Sequence, residues 1–279
     1  MIRLAVRVRR EHAELVLAEL LELAPSGVEE AELEGGVVEY AVYGPPGEVP
    51  DLPDLQVAAG DALVEVETTE VADDWADRWR QFHKPVVVGG RLHVRPPWCT
   101  PREDLLEVVV DPGQAFGTGA HGTTRLCLEL LCELAAEGAG GPASDLGCGS
   151  GVLAIAAAKL GLGPVLGVDH ERESVTATAE NAQANGVDDL VRAERFDLLR
   201  GGPAPGAPLV LANLLRPLLL AVARAGFQDA QPRVLVASGL LVHEADEVAG
   251  AFAQRHGLHE RRRLDDGEWA ALLLARPAG

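Results

Sequence analysis

The stretch of the chain whose chemistry is easiest to interpret is DLGCGSGVLAIAAAKLG, which begins at Asp145 and has three closely spaced glycines near its start. Gly147, Gly149 and Gly151 lie between a predicted strand end and a predicted helix start. Glycine at such a junction lets the backbone turn tightly and lets a ligand come into contact with it. The helix N-terminus adds N–H groups and a partial positive charge. The spacing predicts a ligand-binding loop, although a glycine-rich turn alone does not identify the ligand.

An acidic residue at the end of the next predicted strand narrows the choice of ligand. Asp169, in GVDHE, follows Gly147 by 22 residues (169 − 147). This separation is close to that expected for an acid that accepts hydrogen bonds from ribose hydroxyls. The alternative is a helix cap, because Asp169 lies two residues before Glu171, where a helix is predicted to begin. The alignment of a GVD strand end with a glycine loop favours ribose binding.

The glycine spacing argues against a dinucleotide. Dinucleotide sites favour GxGxxG, whose third glycine allows close helix packing, whereas here GCGSG is followed by the bulky Val152 and Leu153. A GxGxG loop with a ribose acid and a terminal antiparallel hairpin is similar to the class I methyltransferases, which bind S-adenosylmethionine. That ligand has no pyrophosphate, so the loop has to admit its amino-acid part and its ribose.

Two further polar residues follow predicted strands. Asn213, in LVLANLL, lies at the carboxyl end of a strand, where open α/β sheets bind ligands. Its amide can accept from an amine and donate to a carboxylate, and the alternative is a cap for the following helix. Many amine-directed methyltransferases carry Asn-Pro-Pro-aromatic here, whereas this chain has Asn-Leu-Leu-Arg-Pro, which leaves room for an aliphatic amine. Asp197 is a candidate acceptor for an adenine amino group.

A second glycine-rich stretch, DPGQAFGTGAHGTT at residues 111–124, precedes an apolar helix. A phosphate cradle is excluded because the stretch lacks the GK pair of a P-loop. His121 has no second metal ligand at suitable spacing, so we expect it to bond to the backbone. We therefore predict a lid over the cofactor, with Phe116 as an apolar wall and Thr124 in contact with the ligand from the helix start.

The elements that position these residues alternate between strand and helix from residue 123 onward. Alternating units with short connections predict a doubly wound, Rossmann-like α/β fold with a seven-stranded, mostly parallel sheet, closed by an antiparallel hairpin around the DDG turn. The predicted helices cover residues 123–137, 152–160, 171–185, 217–225 and 243–254. The predicted strands before the hairpin end or lie at 144–146, 165–169, 190–195, 209–213 and 234–238.

The first part of the chain predicts a smaller unit. Residues 2–9 and 37–43 alternate like half-buried strands, and leucines recur at helical spacing over 11–23. We assign residues 1–55 to a small α+β domain, 56–85 to a linker, and 86–279 to the domain with the doubly wound sheet. The linker contains a predicted helix at 73–82 with Trp75 and Trp79 on one face, and we expect these tryptophans to pin the helix to a core.

Composition limits the classes of partner. The formal net charge of −19 argues against a nucleic-acid partner; it suits a basic protein partner or simply solubility. The four cysteines form no CxxC pair, so we expect reduced thiols and no metal site. No apolar run reaches the roughly 20 residues that span a bilayer, and residues 1–9 resemble a strand more than a secretory signal. We expect a cytoplasmic monomer with no membrane contact.

Several of these motifs together resemble one family, the bacterial ribosomal protein methyltransferases named PrmA, which act on the eleventh protein of the large subunit. The resemblance covers nearly the whole chain. It rests on DDWADRWRQFHKP, DPGQAFGTGAHGTTRLCLELL, DLGCGSGVLAIAAAKLG, the GVD acid, ENAQANGV, LVLANLL, SGLL and the closing Glu-Trp pair. The first fifty residues are similar to the family only in size and pattern.

The resemblance implies a function and a set of contacts. S-adenosyl-L-methionine would contact Thr124, Gly147, Asp169 and Asn213, to which the loop analysis adds Gly149 and Phe116. The activity would be methylation of lysine ε-amino groups and the N-terminal α-amino group of the ribosomal protein by the catalytic domain at 86–279. Residues 1–55 would be the substrate-recognition domain, with the helix of Trp75 and Trp79 as a hinge. No residue is identified as a general base. The alternatives are methylation of another protein or a small-molecule amine, an NAD-dependent oxidoreductase, and a non-catalytic ribosome-assembly factor.

Overall fold

The chain divides into two compact units, Met1–Phe82 and His83–Gly279, which are described separately. The structure is a computed structural model. It describes residues 2–13, 16, 29–33, 36–44, 63–70, 84–111 and 121–277. The predicted helix at 73–82, with Trp75 and Trp79, and most of the predicted helix at 11–23 lie outside these residues.

The N-terminal unit contains a four-stranded antiparallel sheet in the order β2-β3-β1-β4. Alternation along β1 places Leu4, Val6 and Val8 in a small core, while Arg3 and Arg7 on the other face form ion pairs with Glu39. The strands are β1 (Ile2–Arg9), β2 (Glu29–Leu33), β3 (Val37–Gly44) and β4 (Leu63–Glu70).

Strand β4 makes this unit longer than the sequence suggests. It lies within the range 56–85 that was assigned to a linker, yet it pairs with β1 from Ile2 to Val8. The proline-rich segment between β3 and β4 looks like a domain boundary in the sequence, yet the two strands that it joins belong to one sheet. Proline and glycine indicate a break in regular structure, and they do not distinguish a loop within a domain from a linker between domains.

The C-terminal unit begins with a small three-stranded sheet in the order β5-β6-β7. The strands are β5 (Val86–Val88), β6 (Leu92–Arg95) and β7 (Leu106–Val109).

The main sheet of this unit has seven strands in the order β10-β9-β8-β12-β14-β16-β15. The first five are parallel to one another, and β16 runs antiparallel to both of its neighbours, β14 and β15, so the predicted sheet and its closing hairpin are confirmed. The strands are β8 (Ala143–Leu146), β9 (Val165–Asp169), β10 (Val191–Arg195), β12 (Leu209–Asn213), β14 (Val234–Leu241), β15 (His259–Asp265) and β16 (Trp269–Ala275). Two short strands, β11 (Ala204–Pro205) and β13 (Phe227–Gln228), pair beside it.

Helices cover both faces of the main sheet. The apolar residues of α1 and α2 pack in one core cluster, and those of α4 and α5 pack in a second. The helices are α1 (Gly122–Ala136), α2 (Val152–Lys159), α3 (Arg172–Ala184), α4 (Arg216–Ala225) and α5 (Ala245–His256). Helix α5 starts two residues later than predicted because residues 242–244 form a turn of 3-10 helix.

The four cysteines are thiols, as expected, and no disulfide joins them. None of the helices in the described part of the chain has the length and apolarity that crossing a bilayer requires.

Candidate functional site

The carboxyl edge of the main sheet contains a topological switch point. From the central strand β8 the chain proceeds to β9 on one side, and it later places β12 on the other side. Because the three strands are parallel, the loop after Leu146, the side chain of Asp169 and the side chain of Asn213 all lie at the same edge. Open α/β sheets bind their ligands at such a point.

The glycine loop at this edge requires left-handed backbone. Gly147, Gly149 and Gly151 have φ values of 71°, 52° and 81°, where side chains other than glycine are strained. The N–H groups of Gly147 and Cys148 donate to the carbonyl of Val168 at 2.8 and 3.0 Å, which ties the loop to β9. The turn therefore depends on glycine for its conformation.

Helix α3 holds the loop in place through side chains that the sequence did not single out. Thr178 Oγ1 donates to the carbonyl of Gly149 at 3.0 Å, and Asn181 Nδ2 donates to the carbonyl of Ser150 at 2.9 Å. Asn181 Oδ1 also accepts from the backbone N–H of Asp111 at 3.1 Å. Asn181 lies in the motif ENAQANGV, whose two asparagines were the available signal. This asparagine connects the glycine loop to the segment that leads into the second glycine-rich stretch.

Asp169 has the helix-start role that was considered for it, and its contact with ribose stays a prediction. Its Oδ2 accepts from the N–H of Gly149 at 3.0 Å, and its Oδ1 accepts from the N–H of Glu171 at 3.1 Å. The second bond helps to start α3, because Glu171 is its N-cap. A carboxylate has about four acceptor positions, and the exposed His170 ring also places its Nδ1 3.3 Å from Oδ1, so Oδ2 keeps capacity for a hydroxyl donor.

Asp145 is the most deeply buried carboxyl group of the site, only 1% exposed. Its Oδ2 accepts from the N–H of Ala154 at 3.1 Å. Burial in an apolar surrounding raises the pKa of Asp145 to about 7, and the nearby charge of Asp169 acts in the same direction. A carboxyl group with this pKa holds its proton over part of the physiological pH range.

Thr124 and Asn213 meet across the site. Thr124 is 1% exposed in the first turn of α1, and its Oγ1 accepts from Asn213 Nδ2 at 3.3 Å. The bond fixes which way the amide points, so that Asn213 Oδ1 is the atom left for another partner. That oxygen is buried and has no hydrogen-bond partner among the described residues. A buried acceptor in this state favours a ligand that donates a hydrogen bond.

His121 is a structural residue, as expected. It is the N-cap of α1, where its Nδ1 accepts from the N–H of Thr123 at 3.4 Å and lies 2.8 Å from Thr123 Oγ1. Its ring also packs edge-on against Trp269, with 5.2 Å between ring centroids. Among the residues that the structure describes, no three metal-ligating side chains come together.

The places of Phe116 and Asp197 in the site stay predictions. Phe116 and the rest of residues 112–120 lie outside the described residues, so its place as an apolar wall stays a prediction. Asp197 follows β10, where its Oδ1 accepts from the N–H groups of Leu199 and Arg200 at 2.9 and 3.2 Å. These bonds give Asp197 a local role in the turn, and its contact with adenine also stays a prediction.

The donor and acceptor set fits a nucleoside with an amino-acid part. Asp169 can accept from a ribose hydroxyl, the glycine loop allows backbone contact, and Asn213 Oδ1 can accept from an amine, either that of the amino-acid part or that of a substrate. A seven-stranded sheet with an antiparallel closing hairpin, a GxGxG loop at its switch point and an acid after the next strand define the class I methyltransferase fold.

The particular family follows from comparison with known proteins. The family described as "Ribosomal protein L11 methyltransferase (PrmA)" matches residues 52–277. A Heliobacterium modesticaldum protein named ribosomal protein L11 methyltransferase is 40% identical over 210 residues, and one from Chloroflexus aurantiacus is 38% identical over 239 residues. The chain belongs to the PrmA family.

The extent of these matches differs between relatives. The alignments cover 74% and 76% of this chain, but 65% of the Heliobacterium protein and 72% of the Chloroflexus protein. A solved structure of ribosomal protein L11 methylase from Lactobacillus delbrueckii subsp. bulgaricus is 29% identical, with a TM-score of 0.55 over 70% of this chain and 99% of that one.

Proposed function

We propose that this protein is an S-adenosyl-L-methionine-dependent methyltransferase whose substrate is ribosomal protein L11. The observation that carries the proposal is the meeting of the glycine loop, Asp169 and the Thr124–Asn213 pair at one sheet edge, in a chain of the PrmA family. The acceptor groups are lysine ε-amines and the N-terminal α-amine. The protein acts in the cytoplasm as a monomer, and its negative charge suits a basic ribosomal protein.

The cofactor, when bound, supplies a methyl group on a positively charged sulfur. On the protein side, Asp169 binds a ribose hydroxyl with the acceptor capacity that Gly149 and Glu171 leave over. Gly147 and Gly149 let the cofactor come close to the backbone. Thr124 contacts the cofactor from the first turn of α1.

Asn213 orients the acceptor amine. Because Thr124 holds Asn213 Nδ2 at 3.3 Å, the amide oxygen is directed away from Thr124 and accepts a hydrogen bond from the amine. Methyl transfer to nitrogen is an in-line displacement, and alignment of the reacting atoms supplies most of the rate enhancement. A positioned acceptor therefore increases turnover without moving a proton itself.

The amine has to be neutral to attack. A lysine with an ordinary pKa near 10.4 is an ammonium ion at neutral pH, and desolvation in a pocket lowers that pKa. We assign no general base, and the proton leaves to solvent. The N-terminal unit binds the ribosomal protein, which leaves the C-terminal unit to perform the reaction.

Two other functions predict different ligands. A nicotinamide-dependent oxidoreductase binds NAD, and a methyltransferase for another protein or a small-molecule amine binds S-adenosylmethionine but leaves L11 unmodified. Isothermal titration with each cofactor distinguishes the oxidoreductase from the proposed enzyme. Release of S-adenosylhomocysteine in the presence and absence of purified L11 distinguishes a methyltransferase that acts on another substrate. We expect tight binding of S-adenosylmethionine only, and release that requires L11. Binding of NAD, or release indifferent to L11, contradicts the proposal.

A further inference from the structure

Leu214, the residue after Asn213, lies unusually close to the backbone of a second strand, β14. Gly239, in β14, has a φ of 81°, and a Cβ atom built on it would lie 2.5 Å from the carbonyl oxygen of Leu214 and 2.7 Å from its carbonyl carbon. Both are backbone atoms, so no side-chain rotation relieves the overlap. The pairing of β14 with β16 shifts register between Ala237 and Leu240, which places a bulge at this point.

Leu214 is held from two further directions. Its backbone N–H donates to the carbonyl of Ser238 at 3.0 Å. Its side chain is buried, and its Cδ2 lies 2.4 Å from where a Cβ on Gly147 would be. Gly147 belongs to the proposed cofactor loop, and Gly239 belongs to the strand on the far side of β12. One leucine therefore connects the loop and β14, and both contacts require glycine.

We propose that Leu214, held between Gly147 and Gly239, is a positioning residue that sets Asn213 for methyl transfer; this inference rests on the proposed function of Asn213. Asn213 is the neighbouring residue, and its bond to Thr124, at 3.3 Å, is near the upper limit for a hydrogen bond. A small displacement of Leu214 breaks that bond and releases the amide. The motif SGLL thus contributes to the site through Asn213, without touching either substrate.

The first test replaces Gly239 with alanine and uses Gly257→Ala as the control. Gly257 ends α5 with a φ of 67°, and a Cβ there meets nothing within 4 Å. Both variants carry the strain of alanine in the left-handed region, but only Gly239→Ala displaces Leu214. We expect kcat of Gly239→Ala to fall by about 100-fold, as misplacement of a reacting group by about 1 Å can cause, with Gly257→Ala unchanged. A kcat within about twofold of the control overturns the proposal.

A double-mutant cycle distinguishes positioning from a general structural effect. If Gly239 acts through Asn213, then Gly239→Ala causes no further loss of kcat in an Asn213→Ala background. The same fractional loss in both backgrounds contradicts the proposal. Should Gly239→Ala fail to fold, Leu214→Ala takes its place, with Leu219→Ala as control. Leu219 is fully buried on α4, so this control loses stability and keeps kcat, and equal loss of kcat in both overturns the proposal.

A crystal structure of Gly239→Ala supplies a readout that does not depend on activity. Ordinary contact at 3.4 Å instead of 2.5 Å requires a shift of about 0.9 Å at the Leu214 carbonyl. We expect that shift together with loss of the Asn213–Thr124 hydrogen bond, and an unmoved Asn213 overturns the proposal. This result stands even if wild-type enzyme leaves L11 unmodified, in which case the proposed function fails separately.

Discussion

Asn213 Nδ2 donates a hydrogen bond to Thr124 Oγ1 across 3.3 Å, although the two residues are 89 positions apart in the chain. Asn213 ends β12 and Thr124 lies in the first turn of α1, so the bond joins two elements that border the same sheet edge. Its consequence is directional, because it leaves Asn213 Oδ1 as the buried acceptor without a partner among the described residues. We interpret that oxygen as the group that receives the substrate amine.

Replacing Asn213 with alanine is expected to reduce turnover and leave the fold intact. The loss corresponds to one hydrogen bond to a charged or strongly polar group, about 1.5–3 kcal/mol, or roughly 10- to 100-fold in kcat/KM. Initial rates of S-adenosylhomocysteine release measure it. The control is Asn185→Ala, which removes an amide of equal size that holds Val109 in β7 through bonds of 2.5 and 2.9 Å. The control loses stability and keeps turnover, and unchanged kinetics of Asn213→Ala count against the assigned role.

Replacing Asp169 with alanine is expected to weaken cofactor binding. The variant loses the ribose acceptor and the bond from the N–H of Gly149, so the Kd for S-adenosylmethionine rises by about 10- to 100-fold. Isothermal titration gives the value directly. Asp189→Asn, an exposed acid before β10 at the opposite sheet edge, carries the same charge change and should bind normally. Equal affinity of Asp169→Ala and this control would remove Asp169 from the site.

Most of the C-terminal fold follows from the sequence. The predicted strands 165–169 and 209–213 coincide with β9 and β12, because apolar runs that end in a single polar residue are typical of buried parallel strands. The glycine loop and the acid after the next strand are local patterns, so their place at the sheet edge could be inferred from strand order alone.

The ionisation of Asp145 is expected to make the stability of the fold depend on pH. Burial raises the pKa of Asp145 in the folded state to about 7 from its ordinary value of 3.8. Between these values the folded state keeps the proton and the unfolded state loses it, so stability falls as pH rises from about 4 to 7. Above pH 7 both states are ionised and the penalty is constant.

The neutral variant Asp145→Asn isolates this contribution. We expect its free energy of unfolding, relative to wild type, to increase from pH 5 to pH 7 and to level off above pH 7. Urea denaturation at each pH measures the difference, which cancels the titration of all other groups. A difference that does not change with pH would show that Asp145 titrates in the folded protein as it does in water.

Thiol reactivity is expected to separate the four cysteines. Burial raises the pKa of Cys127 and Cys148 to about 12 and that of Cys132 to about 11, so these thiols are neutral and shielded at pH 8. Cys99 is half-buried. A disulfide reagent added to the native protein should therefore modify Cys99 first, and it should modify the other three cysteines only in urea. Rapid modification of Cys127 in native protein contradicts the described packing of α1.

Contacts between distant segments are the part that sequence patterns did not provide. Thr178 and Asn181 hold the glycine loop from α3, and Gly239 accommodates Leu214 from β14. Both sets of contacts depend on which strands are neighbours, and that of Gly239 also on the bulge in β14; neither set appears in local periodicity. Strand β4 was missed for a related reason, because its partner β1 lies far from it in the sequence, at the start of the N-terminal unit.

Mass spectrometry of purified ribosomal protein L11 after incubation with the enzyme and S-adenosylmethionine shows whether this chain methylates L11. We expect added methyl groups on lysine ε-amines or the N-terminal α-amine, which peptide mapping locates, and far fewer with Asn213→Ala. An L11 mass that stays unchanged while the enzyme binds S-adenosylmethionine contradicts the proposed function.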